Sequence, residues 1–330
     1  MDWLAILAAG VLAAVGPFTA AYAVSASGLN LQFGYAGLLN FGHVAFMLVG
    51  AYGLAVTVDF GGSFWLGLIV GTAAGVLLGL IMGLPTLRLR ADYFAITSIA
   101  FGEVIRLLVR SSWAEGVTGG VFGIQGFANS FFQLNPFDVG ELYGFGRFVV
   151  TGRTLFMIVV SWSVVLVTTF LIARLINSPW GRVIKAIRED EDATASLGKN
   201  TFVYKLQALM IGGGIAAISG MLLAIEQQNV TPASYAPRVT FIIYVIVILG
   251  GAGTILGPVL GAVVFNFMFF SIDSFMVQLQ ANVGFVGDIL TPADAGLIKL
   301  FLVGVAMMLL MIFRPQGILG SREEELVSER

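Results

Sequence analysis

Cysteine is absent from the chain, which excludes disulfides and thiolate metal sites. Histidine occurs once, at His43, so a multi-histidine metal centre is excluded as well. Charge is scarce. Charged residues make up 11% of the 330 positions, against about 25% in an ordinary soluble domain. The first 87 residues hold two charges, Asp2 and Asp59. The net charge of −2 gives no reason to expect a nucleic-acid partner. The phosphate-binding pattern GxxxxGK[ST] is missing too. Gly198-Lys199 lacks both the upstream glycine and the following hydroxyl residue, so the chain does not hold ATP by that motif. No cofactor is expected on this chain, and if it is driven by ATP, a separate subunit must use it. The apolar start lacks a basic n-region and a cleavage site, and is read as a retained first span.

What is present is apolar: 58% of residues are hydrophobic. A soluble surface cannot hide that much, so membrane lipid must solvate part of it. Helices satisfy their own backbones in lipid. The expected fold class is therefore all-α, a polytopic integral membrane helical bundle of about nine spans (eight to ten), forming one transmembrane domain over 1–330. The expected spans are 3–27, 35–58, 64–84, 93–109, 154–175, 206–225, 239–249, 255–272 and 297–313. The two that flank GGAGTILGP (250–258) are short enough to form a broken or re-entrant pair.

Lysine and arginine set the expected orientation. The segment 181–206 holds five of them, Arg88 and Arg90 follow Pro85, and Arg314 and Arg322 follow the last span. With nine spans these share the cytoplasmic face. The outer face receives 111–152, with Glu115, Asp138 and Glu141 against Arg147. It also receives 271–296, with Asp273, Asp288 and Asp294. The N-terminus is then outside and the C-terminus cytoplasmic, in the inner (plasma) membrane.

Gly67, Gly71, Gly75, Gly79 and Gly83 recur every fourth residue. At 3.6 residues per turn each step drifts by about 40°, so they form a slanted groove for close helix packing. This helix is expected to lie buried in the bundle. Elsewhere polar side chains stand at membrane depth, where they face a bundle interior or a wet cavity. Asn30, Gln32, Asn40 and His43 lie among glycines that permit an unwound backbone. Asn30, Asn40 and His43 are candidates for lining a translocation path, against the plainer reading that they bridge helices. Ser27 and His43 are the sole pairing available for a serine–histidine dyad, at a spacing that matches no protease motif. Glu103 and Arg106 share one helix face and can pair. Glu226 is expected as a solvated helix end.

The segment 181–206, GRVIKAIREDEDATASLGKNTFVYKL, is the one strongly charged stretch between apolar runs. Its charges alone are consistent with a solvated linker. Ile184, Ile187 and Arg188 have helical spacing, residues 193–197 form helix well, and Gly198 suits a helix end. A short amphipathic helix here would suit a groove on a soluble partner.

EDATASLG (191–198) resembles the EAA-type coupling motif of permeases in ATP-binding-cassette importers. The longer AIREDEDATASLGKNTFVYKLQAL resembles the form in the branched-chain amino acid permease family, in its LivM branch. GLNLQFGYAGLLNFGHVAFMLVGAYG is similar to that family's N-terminal signature. GGAGTILGPVLGA and FRPQGILG are similar to its C-terminal ones. Asp192 and Thr194 depart from the small residues of the motif. The resemblance implies a non-catalytic membrane subunit. It would work with ATP-binding subunits, a second homologous permease and an extracytoplasmic substrate-binding protein. It also implies that Glu191, Ala193 and Gly198, with the neighbouring Asp192, belong to the ATPase-coupling loop. The alternatives are a urea or amide permease of the same type and a stand-alone channel or secondary transporter.

Overall fold

A computed structural model describes residues 2–138, 140–282, 292–314 and 316–320. Arg322 and Asp288, used above to argue orientation, lie outside the described residues. The chain is mostly helical, with α1 (Trp3–Val15) and α2 (Pro17–Asn30) leading into a π-helical turn at Leu31–Tyr35. Then follow α3 (His43–Asp59), α4 (Phe64–Thr86), α5 (Ala91–Arg110), α6 (Glu115–Thr118), α7 (Asn129–Phe132) and α8 (Gly152–Ile176). Next come α9 (Pro179–Glu189), α10 (Glu191–Ser196), α11 (Thr201–Gln227), α12 (Arg238–Gly250), α13 (Gly257–Asn282) and α14 (Pro292–Phe313). The described residues also hold a 3-10 turn at Pro232–Tyr235 and four short strands: β1 (Ile124–Gln125), β2 (Leu142–Phe145), β3 (Phe148–Thr151) and β4 (Asn229–Val230).

Helices α4, α8, α11 and α13 are long and apolar enough to cross a membrane. The chain is therefore a multi-pass membrane protein. The run from Trp3 to Tyr35 adds a fifth crossing if its two helices, bent by 46°, count as one. Length and composition thus identify four or five crossing helices among the described residues, fewer than the nine expected. Backbone breaks shorten some of the others, whereas α5 is 20 residues long but carries Asp92, Glu103, Arg106 and Arg110. The expected span 3–27 divides at Gly16, which is extended (φ −61°, ψ 160°) before Pro17. A residue before proline is pushed out of the α region. The expected span 35–58 becomes helical only at His43. The expected outer loop 271–296 is helical at both ends, because α13 runs on to Asn282 and α14 starts at Pro292.

Helix α11 is the central element. Of its apolar stretch 78% is buried, against 33% for α4 and 28% for α8. Helix α4 therefore departs from the burial expected of it. Its glycine face turns inward while Trp65, Ile69, Leu77 and Ile81 stay exposed. Those outward side chains are apolar, as a lipid-facing surface requires.

One end of the bundle carries the strands. β1 pairs antiparallel with β4, Ile124 opposite Val230, and β2 pairs with β3. The Asp2 carboxylate caps α1 by accepting from the Ala5 amide at 3.3 Å and forms an ion pair with Arg147 of the β2–β3 turn. That guanidinium holds the Asp2 carboxyl below its ordinary range. Glu226 is half-buried at this end rather than solvated, and Arg153 donates to its backbone carbonyl at 3.3 Å. Within the bundle, Arg106 grips Glu103 with two bonds of 2.9 and 2.5 Å.

At the other end, Gly37, Leu38, Leu87, Arg88, Arg90, Glu191 and Lys205 line one cleft of about 340 Å³. This gathers the end of the π-turn, the α4–α5 link and the α9–α10 region.

Candidate functional site

The site starts where α2 stops. The π-turn ends at Gly37, whose φ of +68° suits a residue without Cβ. The Gly37 amide donates to the Phe33 carbonyl at 3.1 Å, and the Leu38 amide to the Gln32 carbonyl at 2.8 Å. This is the glycine-terminated reversal that closes helices. The chain then runs irregularly to His43, so residues 36–42 leave polar backbone inside the bundle.

A buried knot of side chains answers those groups. Gln32 Nε2 donates to the Leu209 carbonyl of α11 at 3.1 Å. Asn40 Nδ2 donates to Gln32 Oε1 at 2.9 Å, and the Gly42 amide donates to Asn40 Oδ1 at 3.1 Å. His43 Nδ1 lies 3.2 Å from Gln32 Oε1, and Nε2 lies 3.1 Å from the Ser25 carbonyl. A neutral imidazole carries one N–H, so it donates to one of these oxygens at a time. Two hydroxyls hold the amides on either side of Gly42. The Phe41 amide donates to Ser98 Oγ and the Val44 amide to Thr240 Oγ1, each at 3.0 Å. Sequence reasoning passed over both: Thr240 gave the signal of a small hydroxyl in an otherwise apolar run, whereas Ser98, beside Thr97 in a helix that also carries charges, gave none.

The structure brings Asn40 and His43 together through Gln32, and sets Asn30 apart. Asn30 Oδ1 accepts from the Gly253 amide and Nδ2 donates to the Thr254 carbonyl, both at 2.8 Å. It thereby ties the end of α2 to the α12–α13 turn. The approach is close: a Cβ on Gly34 would lie 2.5 Å from the Gly253 nitrogen. Asn30 is 1% exposed, and Asn40 and His43 are 0%, so in this conformation all three are packed in protein. The serine–histidine dyad does not form. Ser27 Oγ donates to the Ala23 carbonyl at 2.7 Å, while the His43 ring reaches the Ser25 carbonyl.

The glycines of α4 lie along a helix junction. A Cβ on Gly71 would sit 2.6 Å from the Gly50 carbonyl of α3 and from Met221 Sδ of α11. A Cβ on Gly75 would meet Ala217 Cβ at 2.5 Å, and one on Gly79 would meet Met210 Cα at 2.8 Å. Gly67 abuts Leu54, and Gly83 abuts Leu206 and Leu209. The groove serves α3 at one end and α11 at the other.

The charged segment is not one loop. Residues 179–196 form α9 and α10, and α11 already starts at Thr201, where Asn200 Oδ1 accepts from the Val203 amide at 3.2 Å. Such caps stabilise helix starts by about 1 kcal/mol, which is why the polar stretch still folds. Ile184 and Ile187 of α9 are buried and Arg182 and Lys185 exposed. Asp190 breaks the helix with extended backbone (φ −152°, ψ 105°) and caps α10, accepting from the Ala193 amide at 2.9 Å. Glu191 pairs with Lys205 of α11. Asp192, Ala193 and Gly198 are exposed, and Gly198 ends the helix with φ +79°. Thr194 points inward, 5% exposed, its hydroxyl on the Asp190 carbonyl at 2.8 Å. Of the two departures from the EAA pattern, Asp192 alone faces outward. Leu197, passed over in sequence, is 81% exposed at the tip.

The strings that suggested a family also meet in space. The Ile318 amide donates to the Leu249 carbonyl at 2.9 Å and Leu319 to that of Gly250 at 3.1 Å, joining the tail to the end of α12. Asn30 ties the same turn to the N-terminal string. A family model described as "Branched-chain amino acid transport system / permease component" matches residues 3–312. The chain belongs to this permease family. It is 30% identical over 324 residues to the high-affinity branched-chain amino acid transport system permease protein LivM of Salmonella typhimurium, covering 94% of this chain and 71% of that one. The Escherichia coli protein of the same name is 30% identical over 322 residues, with the same coverage. A probable LivM of Methanocaldococcus jannaschii is 28% identical over 341 residues, covering 91% and 90%. As a permease of a transport system, the chain works with other subunits of that system.

Proposed function

We propose that this permease is the membrane subunit of an ATP-binding-cassette importer that carries branched-chain or related amino acids. Two such homologous subunits form the pathway, an extracytoplasmic binding protein delivers substrate, and separate ATP-binding subunits drive it. The observation that carries this reading is the exposed α10 tip, with Asp192, Ala193, Leu197 and Gly198 facing outward, standing at one end of a membrane bundle in a chain without a phosphate-binding loop. Family membership supplies the substrate class.

We further propose nine crossings of the inner membrane, with the N-terminus outside. Contacts at the two ends support this. Arg88 stacks over Phe202 at 6.0 Å and shares a cleft with Glu191, which gathers the basic segments at one end. The β1–β4 pairing gathers 124–125 and 229–230 at the other. Asn30, Asn40 and His43 would line the pathway in a state that opens the break at 36–42.

Reconstitution in proteoliposomes tests the reading. With both permeases, the ATP-binding subunits and the binding protein, ATP-dependent uptake of radiolabelled leucine is expected. Uptake of urea instead would redirect the substrate. Concentrative uptake by this chain alone would overturn the assignment.

A further inference from the structure

Arg188 of α9 joins the α9–α10 region to the break after α2. Helix α2 with its π-turn ends inside the protein, and a helix end leaves its last carbonyls without partners of its own. One of them, the Gly34 carbonyl, accepts from Arg188 Nη1 of α9. One turn earlier on the same face, Lys185 Nζ lies 5.7 Å over the Tyr35 ring. A Cβ on Gly37 would touch Arg188 Cγ at 3.4 Å, so the arginine stem lies against the residue that reverses the chain. Two cations thus stand at the negative end of the helix dipole, where positive charge is stabilising. The bond crosses 154 positions of sequence.

We infer that Arg188 is a positioning residue that caps the broken end of α2 from α9, making α9 the direct link between a partner seated on α10 and the buried knot. The geometry leaves a short path. Asp190 is at once the end of α9 and the cap of α10, so displacement of α10 moves Arg188, two residues away. Arg188 holds Gly34. Two residues before Gly34, Gln32 carries Asn40 and His43, and the next residue back from the π-turn, Asn30, holds the α12–α13 turn. Drawing α9 away removes the cap and frees the reversal at 36–38 to unwind further. This inference rests on the proposed reading of α10 as the ATPase docking tip.

The test uses two arms. In the first, the purified chain in nanodiscs is followed by hydrogen exchange. Arg188→Gln is expected to speed exchange of peptides covering 36–42 about tenfold, since capped ends open less often. Arg188→Lys, which keeps the charge and one donor direction, should fall between. Arg182→Gln, an exposed position on the same helix, should change nothing. In the second arm, the full transporter is assayed for co-purification, ATP hydrolysis and uptake. Arg188→Gln is expected to keep the ATP-binding subunits bound while transport per ATP hydrolysed drops at least fivefold. Unchanged exchange at 36–42, or an unchanged transport-to-hydrolysis ratio, would overturn the proposal. So would loss of the ATP-binding subunits in Arg188→Gln, because the residue would then be a docking contact. Failure of those subunits to bind the wild-type permease would instead defeat the reading of α10, and the exchange arm would still judge the cap.

Discussion

Gln32 holds the buried knot together, since its one side chain serves Leu209, Asn40 and His43. Replacing it with leucine leaves the Asn40 Nδ2 donor buried without its partner, while His43 keeps the Ser25 carbonyl. A buried unpaired donor or acceptor costs about 1–3 kcal/mol, so Gln32→Leu should destabilise the protein by about that much. Thermal unfolding of the detergent-purified chain would show it; a melting temperature equal to wild type would refute the role. Gly198 behaves differently. A Cβ there meets nothing within 4 Å, so Gly198→Ala costs only its left-handed backbone, about 1–2 kcal/mol. Gly198→Pro also removes the amide that donates to the Ala195 carbonyl at 2.9 Å. It should release the ATP-binding subunits in co-purification while the bundle melts as before. Sequence showed that Gln32, Asn40 and His43 are polar at depth. It did not show that they bond to one another, because spacings of eight and three residues would set them on one face of a continuous helix but about 12 Å and about 5 Å apart along its axis, at 1.5 Å per residue. The helix break decides that contact.

At the scale of elements, the α4 groove predicts a graded series. Gly71 and Gly75 face backbone and Cβ atoms of α3 and α11, which cannot yield without moving a helix. Gly83 faces the side-chain ends of Leu206 and Leu209, which can rotate. Gly71→Leu should therefore cost about 1–3 kcal/mol, the range for overpacking, and Gly83→Ala much less. Melting temperatures in detergent rank them; equal losses along the series would refute the groove. The α9–α10 unit makes a second element-level prediction. Asp192→Lys and Leu197→Asp change exposed positions only, so they should weaken capture of ATP-binding subunits without altering thermal stability. Glu191 is a poorer probe, since reversing its charge also breaks the pair with Lys205. The groove was legible from four-residue spacing alone, as were the helix of 193–197 and its glycine end. The exposure of α4's other face was not, because an apolar residue reads the same whether it meets lipid or protein.

For the whole molecule, the absence of cysteine supplies a clean background for labelling. Single cysteines at Asp192 and Glu141 should react with a membrane-impermeant maleimide from opposite sides of the membrane, Asp192 from the cytoplasm. Reaction of both from one side would refute the proposed nine-span topology. Composition, hydropathy and the order of four motif strings were enough to determine a multi-pass permease of this family, because lipid demands apolar helices and the motifs are contiguous in sequence. Tertiary structure alone decided where the spans break and what holds the breaks. Asn30 meets Gly253 and Thr254, the tail meets α12, and Arg188 reaches Gly34, each across more than 60 residues. A backbone carbonyl or amide looks the same at every position of a sequence, so its partner becomes visible only when the fold brings the two together.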